Sequence, residues 1–144
     1  MNLIENLKDL IISLLEKKVI NFNEKFTKIT YENKDKFNEL LDHISYNKNY
    51  LELFHKYYSS IYYNEDQTII ILINFLNHIQ IYGICYENHF DFMNIFSNVF
   101  DILKNISTSI NFEFNKNLGF LNSEINYIGH GLNLYSELIL SIFC

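Results

Sequence analysis

Apolar residues recur along most of this chain at steps of three and four, the period of a helix with one buried face. Leu3, Leu7, Leu10, Ile11, Leu14 and Leu15 predict a first helix over 2–18, and a less regular segment then holds Phe22, Phe26 and Ile29. Thr30, followed by Glu32 and then Phe37, Leu40, Leu41 and Ile44, predicts the opening of another helix. Over 48–62, Tyr50, Phe54, Tyr57, Tyr58 and Ile61 form an aromatic stripe that must be buried. The stretch TIIILINFLNHIQIY is apolar on nearly every face, which predicts a central helix over 66–82. Asn64, Glu65, Asp66 and Gln67 suit the positive end of its dipole, and Gly83 reads as its left-handed C-terminal stop. A helix over 87–107 carries His89, Met93, Phe96, Phe100 and Leu103 in phase. In a last one, over 121–143, Leu121, Ile125, Ile128, Leu132, Tyr135, Ile139 and Ile142 repeat as a heptad seam. Strand-like alternation is confined to INFEF at 110–114. The pattern predicts an all-α fold of six to seven helices.

The length of 144 residues fits a single domain over 1–144, which can bury roughly two-thirds of its unfolded surface. Composition adds that the chain is too apolar to be disordered: 49% of residues are hydrophobic, with 13 Phe and 11 Tyr to fill a core. Charge narrows the partners. All 11 basic residues are Lys, there is no Arg, and the net charge is -6, so neither nucleic acid nor an anionic membrane surface is expected. Glu5 and Asp9 stand where an export signal needs basic residues. The longest aliphatic run, Ile69 to Ile73, is far short of the about 20 residues that span a bilayer, so membrane insertion is not expected. Cys85 and Cys144 make no disulfide framework, and a cytoplasmic location follows.

The sequence has no glycine-rich phosphate loop, nucleophile elbow, HExxH or paired CxxC motif. No catalytic residue is therefore assigned and a non-enzymatic role is expected. His43, His55, His78, His89 and His130 each read as surface or hydrogen-bonded core residues, and no metal site is expected, because Gly83 spoils a simple pairing of Cys85 with His89. Gly129 and Gly131 flank His130 within the predicted last helix, where they read as a place of close helix approach.

The most specific constellation is the segment from His78 through Tyr82, Gly83, Ile84, Cys85 and Tyr86 to His89 and Phe90. It resembles the region of bacterial globins and globin-type sensors that carries the proximal haem histidine. In that resemblance the 48–62 helix is the distal wall, with Phe54 and His55 facing the pocket, and 66–82 is the proximal wall. His78 lies five positions before Gly83 where haem-binding relatives have four, so Ile79 stands where the iron ligand belongs and the imidazole is turned by about 100°. Haem is therefore disfavoured and no cofactor is expected. The sequence is similar to haem-less globin-like sensor domains of spore-forming bacteria, of the sporulation-inhibitory type related to histidine-kinase sensors.

That resemblance implies a signal-sensing domain that sequesters a fatty-acid-like ligand from a sporulation sensor histidine kinase. The apolar pocket would be lined by Phe54, His55, Tyr58, Phe75, His78, Ile79, Tyr82, His89, Met93 and Phe96. The heptad seam of the final helix predicts a homodimer through the last two helices, as globin-type sensors form. The alternatives are a haem-binding globin acting as a gas or redox sensor, and a small helical inhibitor or immunity protein whose groove binds a partner helix.

Overall fold

The computed structural model describes residues 26–44, 59–73, 75, 77, 79–86, 91–108, 111–122, 125, 128–129 and 131–134. The chain divides into two compact units, residues 1–109 and 110–144. Among the described residues the first unit has strand β1 (Thr27–Thr30), helix α1 (Lys34–His43), strands β2 (Ser60–Tyr63), β3 (Ile69–Ile73) and β4 (Ile79–Gly83), and helix α2 (Phe92–Ser107). The strands form one antiparallel meander in the order β1-β2-β3-β4.

The register explains how the apolar residues are shared out. Ile29 pairs with Ile61, Ile61 with Leu72, and Ile70 with Tyr82, so these side chains share one face. On that face they form a core with Phe37, Leu40 and Leu41 of α1 and with Phe75, whose ring stacks on Phe37 at 5.7 Å. Ile69, Ile71 and Ile73 point to the other face, in line with Gly83 and Ile81 of β4. There α2 comes so close that a Cβ on Gly83 would stand 2.8 Å from Ile95 Cγ2 and 2.9 Å from Val99 Cγ2. All five residues of β3 are 0% exposed. At about 1.5–3 kcal/mol for each fully buried aliphatic side chain, this strand is the largest contiguous source of apolar burial described in the unit.

The all-α, globin-like expectation is overturned. Two helices stand among the described residues, and the predicted central helix over 66–82 is a hairpin of β3 and β4. A strand buried on both faces reads as a continuous apolar run, which periodicity cannot tell from a buried helix. The β-branched isoleucines favour the strand because their stiff side chains pack well on a pleated surface. Gly83 is a strand residue opposite Ile69, not a helix stop, and its small size serves the approach of α2. Residues 60–62, predicted as the end of an aromatic-striped helix, belong to β2, while Tyr50, Phe54, Tyr57 and Tyr58 lie outside the described residues. The helix expected after Thr30 begins at Lys34, following a turn in which Asn33 N donates to Thr30 O at 3.1 Å.

Helix α2 is present where a helix is predicted, but with its faces exchanged. Ile102 and Ile106 are buried and Ile95 and Val99 face the sheet, whereas the predicted inner stripe, Met93, Phe96, Phe100 and Leu103, is exposed. Phe92, Phe96 and Phe100 stack along that outer side with centroids 5.9 and 6.1 Å apart. No helix among the described residues is long and apolar enough to cross a membrane.

The second unit contains a two-stranded hairpin, β5 (Phe114–Asn115) and β6 (Gly119–Phe120). Asn115 Oδ1 accepts from Asn117 N at 2.8 Å and Leu118 N at 3.2 Å, an Asx turn that reverses the chain. Gly119 has a φ of 81°, and a Cβ there would meet the Gly129 carbonyl oxygen at 2.6 Å. Phe120 and Gly129 pair as a bridge, so the predicted final helix is absent from the described part of 121–134. Gly129 and Gly131 have positive φ in non-helical backbone, which removes the close-helix reading and, over Leu121 to Leu132, the heptad seam behind the expected homodimer; Tyr135, Ile139 and Ile142 lie outside the described residues.

Replacing Gly83 by Ala should destabilise the protein by about 1–3 kcal/mol, because the new methyl group meets two stiff β-branched side chains. Chemical denaturation measures this, and a second change, Val99→Ala, should recover part of the loss.

Candidate active site at the β2–β3 turn

Asn64, the residue after β2, organises the connection to β3. It is 1% exposed, and its backbone N–H donates to Ile69 O at 3.2 Å while its carbonyl accepts from Gln67 N at 3.0 Å. Its side-chain Oδ1 accepts from Ile69 N at 2.9 Å and its Nδ2 donates to Thr68 Oγ1 at 2.9 Å. A short side chain bearing both a donor and an acceptor is what such a closed turn requires. Gln67 takes a left-handed φ of 54°, a conformation that costs a residue with a Cβ roughly 1–2 kcal/mol. Glu65 and Asp66 are left exposed at the tip.

The end of β4 runs beside this turn. Ile84 N donates to Thr68 O at 2.8 Å, Cys85 follows with an exposed free thiol, and the Tyr86 hydroxyl donates to Gln67 O at 3.4 Å. The same hydroxyl is hydrogen-bonded to Nε2 of His43, the last residue of α1, and the two rings lie 5.4 Å apart. Lys36 stands over the ring of Tyr63, the last residue of β2, at 5.6 Å, and its Nζ is 2.5 Å from Glu39 Oε1. One end of the sheet thus gathers the carboxylates of Glu65 and Asp66, a thiol, a phenol, an imidazole and an ammonium group already paired with Glu39. No group of three or more metal-ligating side chains occurs among the described residues.

Exposed carboxylates at a fixed turn can hold a cation. A planar guanidinium is one such cation, since its forked N–H donors can meet the two oxygens of a carboxylate in parallel. The family model of the ATP:guanido phosphotransferase C-terminal catalytic domain matches residues 3–135. The chain belongs to this family. Comparison with curated proteins finds no match.

Membership in the guanidino phosphotransferase family overturns the globin-like sensor reading, the fatty-acid-like ligand and the non-enzymatic role, and supports neither a haem globin nor a helix-binding inhibitor. It also removes sporulation signalling as the setting. The resemblance around Gly83 was a coincidence of an aromatic, a glycine and an aliphatic residue, which in this protein end a strand.

Of the residues expected to line an apolar pocket, Phe75 and Tyr82 meet at the α1 side of the sheet, Phe75 within the core and Tyr82 packed against it. Ile79 starts β4 on the opposite face. Met93 and Phe96 lie on the exposed side of α2, at 71% and 37% exposure. Phe54, His55, Tyr58, His78 and His89 lie outside the described residues. Asn64, Glu65, Asp66 and Tyr86, which form the candidate site, are not among the residues that the sequence singles out for a site. The available signal was turn chemistry: Asn, Glu, Asp and Gln between the strand-forming runs SIYY and IIILI mark a hairpin.

Asn64→Ala leaves the buried Ile69 amide without its side-chain acceptor and should cost about 1–3 kcal/mol of stability. In thermal unfolding this appears as a lowered midpoint, and in amide exchange as loss of protection at Gln67 and Ile69.

Proposed function

We propose that this domain transfers the terminal phosphoryl group of ATP to a guanidino compound whose cationic head is held by Glu65 and Asp66. The observation that carries the reading is the exposed carboxylate pair on an ordered turn, in a chain whose family is named for this reaction. A net charge of -6 favours a cationic acceptor substrate.

The chemistry assigns the carboxylates two tasks. They orient the guanidino group, and they take the proton that its attacking nitrogen must lose, since a guanidinium nitrogen has no free electron pair. The nitrogen then forms a bond to the terminal phosphorus as the bond from phosphorus to the bridging oxygen breaks, and the electron pair leaves with ADP. Phosphate charge has to be met by lysine ammonium groups and backbone N–H groups, because the chain has no arginine. A cytoplasmic setting, where ATP is made and consumed, accords with such a reaction.

Incubation with ATP and a panel of guanidino compounds, followed by phosphorus NMR, should show a nitrogen-bound phosphoryl product and ADP. Glu65→Gln and Asp66→Asn should each lower kcat/KM for the guanidino compound roughly 10- to 100-fold, the worth of a hydrogen bond to a charged group. Absence of a phosphorylated guanidino product across the panel would overturn the assignment.

A further inference from the structure

We propose that Tyr86, oriented by His43, is a positioning residue that holds the acidic turn in the geometry that receives the guanidino group; the idea rests on the functional reading above. Three elements far apart in sequence meet at this point: the last residue of α1, the segment after β4, and the left-handed residue of the β2–β3 turn. Gln67 immediately follows Asp66; its N–H is held by Asn64 O and its carbonyl, in the Gln67–Thr68 peptide group, by Tyr86, so the tether anchors the closing side of the turn that presents the carboxylate pair.

Proton counting gives the tether a direction. A phenol has one hydrogen, and the Tyr86 hydroxyl donates it to the Gln67 carbonyl. The contact with His43 must then run the other way, with Nε2–H as donor and the phenol oxygen as acceptor. The chain His43 Nε2–H to Tyr86 O–H to Gln67 O follows. It is a device for position rather than for core stability, because His43 is exposed and Tyr86 lies beyond the last residue of β4. At 3.4 Å the final link is long for a bond donated by a hydroxyl, which sets a modest scale for its effect.

The test uses Tyr86→Phe, His43→Ala and His43→Gln in the full chain. Glutamine can place an amide N–H near the site of Nε2–H, so it should keep the tether that alanine breaks. Tyr86→Phe and His43→Ala should raise KM for the guanidino compound roughly three- to tenfold, leave KM for ATP unchanged, and speed amide exchange at Gln67 and Ile69. His43→Gln should restore both readouts toward those of the unsubstituted protein. Unchanged exchange in Tyr86→Phe would overturn the tether itself. Faster exchange with an unchanged guanidino KM, or an equal rise in both KM values, would overturn the positioning role. Failure of the unsubstituted protein to phosphorylate any guanidino compound would sink the functional reading and the positioning role together, while exchange still decides whether the tether exists.

Discussion

The burial of β3 on both faces is the constraint from which the rest of the first unit follows. Ile70 and Leu72 meet the α1 core on one side, and Ile69, Ile71 and Ile73 face the side from which α2 approaches β4. A strand in this position cannot tolerate a polar side chain on either face, so its sequence has no alternation. Its neighbours are then specified by pairing. β2 must present Ile61 to the α1 face, and β4 must be small at Gly83 for α2 to come close.

The same burial dictates where polar chemistry can be placed. β3 offers no side chain for catalysis, so functional groups fall at its ends, where the chain turns and the backbone leaves the ladder. At the β2–β3 end the turn is closed by a buried amide rather than by glycine, leaving Glu65 and Asp66 outside and Gln67 in a left-handed conformation. The last residue of α1 and the segment after β4 reach this end as well, where His43 meets Tyr86. The acidic balance and the lack of arginine bear on the proposed site: they favour a cationic acceptor and leave lysine and backbone groups to meet phosphate.

Much of the local structure was legible in the residues. The helix containing Phe37, Leu40 and Leu41 and the helix over Phe92–Ser107 both follow from apolar spacing. The inner face of the second did not, because Ile95, Val99, Ile102 and Ile106 and the exposed Met93, Phe96, Phe100 and Leu103 make two apolar stripes of nearly equal quality. The acidic turn is visible in the sequence as a polar cluster, but such a cluster before an apolar run equally predicts the start of a helix. A helical reading of the next segment makes Glu65 and Asp66 dipole partners and hides their exposure at the tip of a turn. His43 and Tyr86 left no trace, since residues 43 positions apart are joined by folding and not by spacing.

The amino-acid sequence settled what had to be buried and what had to stay in water: the run Ile69 to Ile73 inside, the carboxylates of 65 and 66 outside, and a surplus of negative charge without arginine. It could not settle whether that run is helix or strand, because a segment surrounded by apolar partners has lost the periodicity that distinguishes them. Pairing with β2 and β4 decided it, and in deciding it brought the turn, the end of α1 and the segment after β4 to one edge. The site exists at that edge because long-range hydrogen bonds in the sheet, rather than local propensity, determine which residues become neighbours.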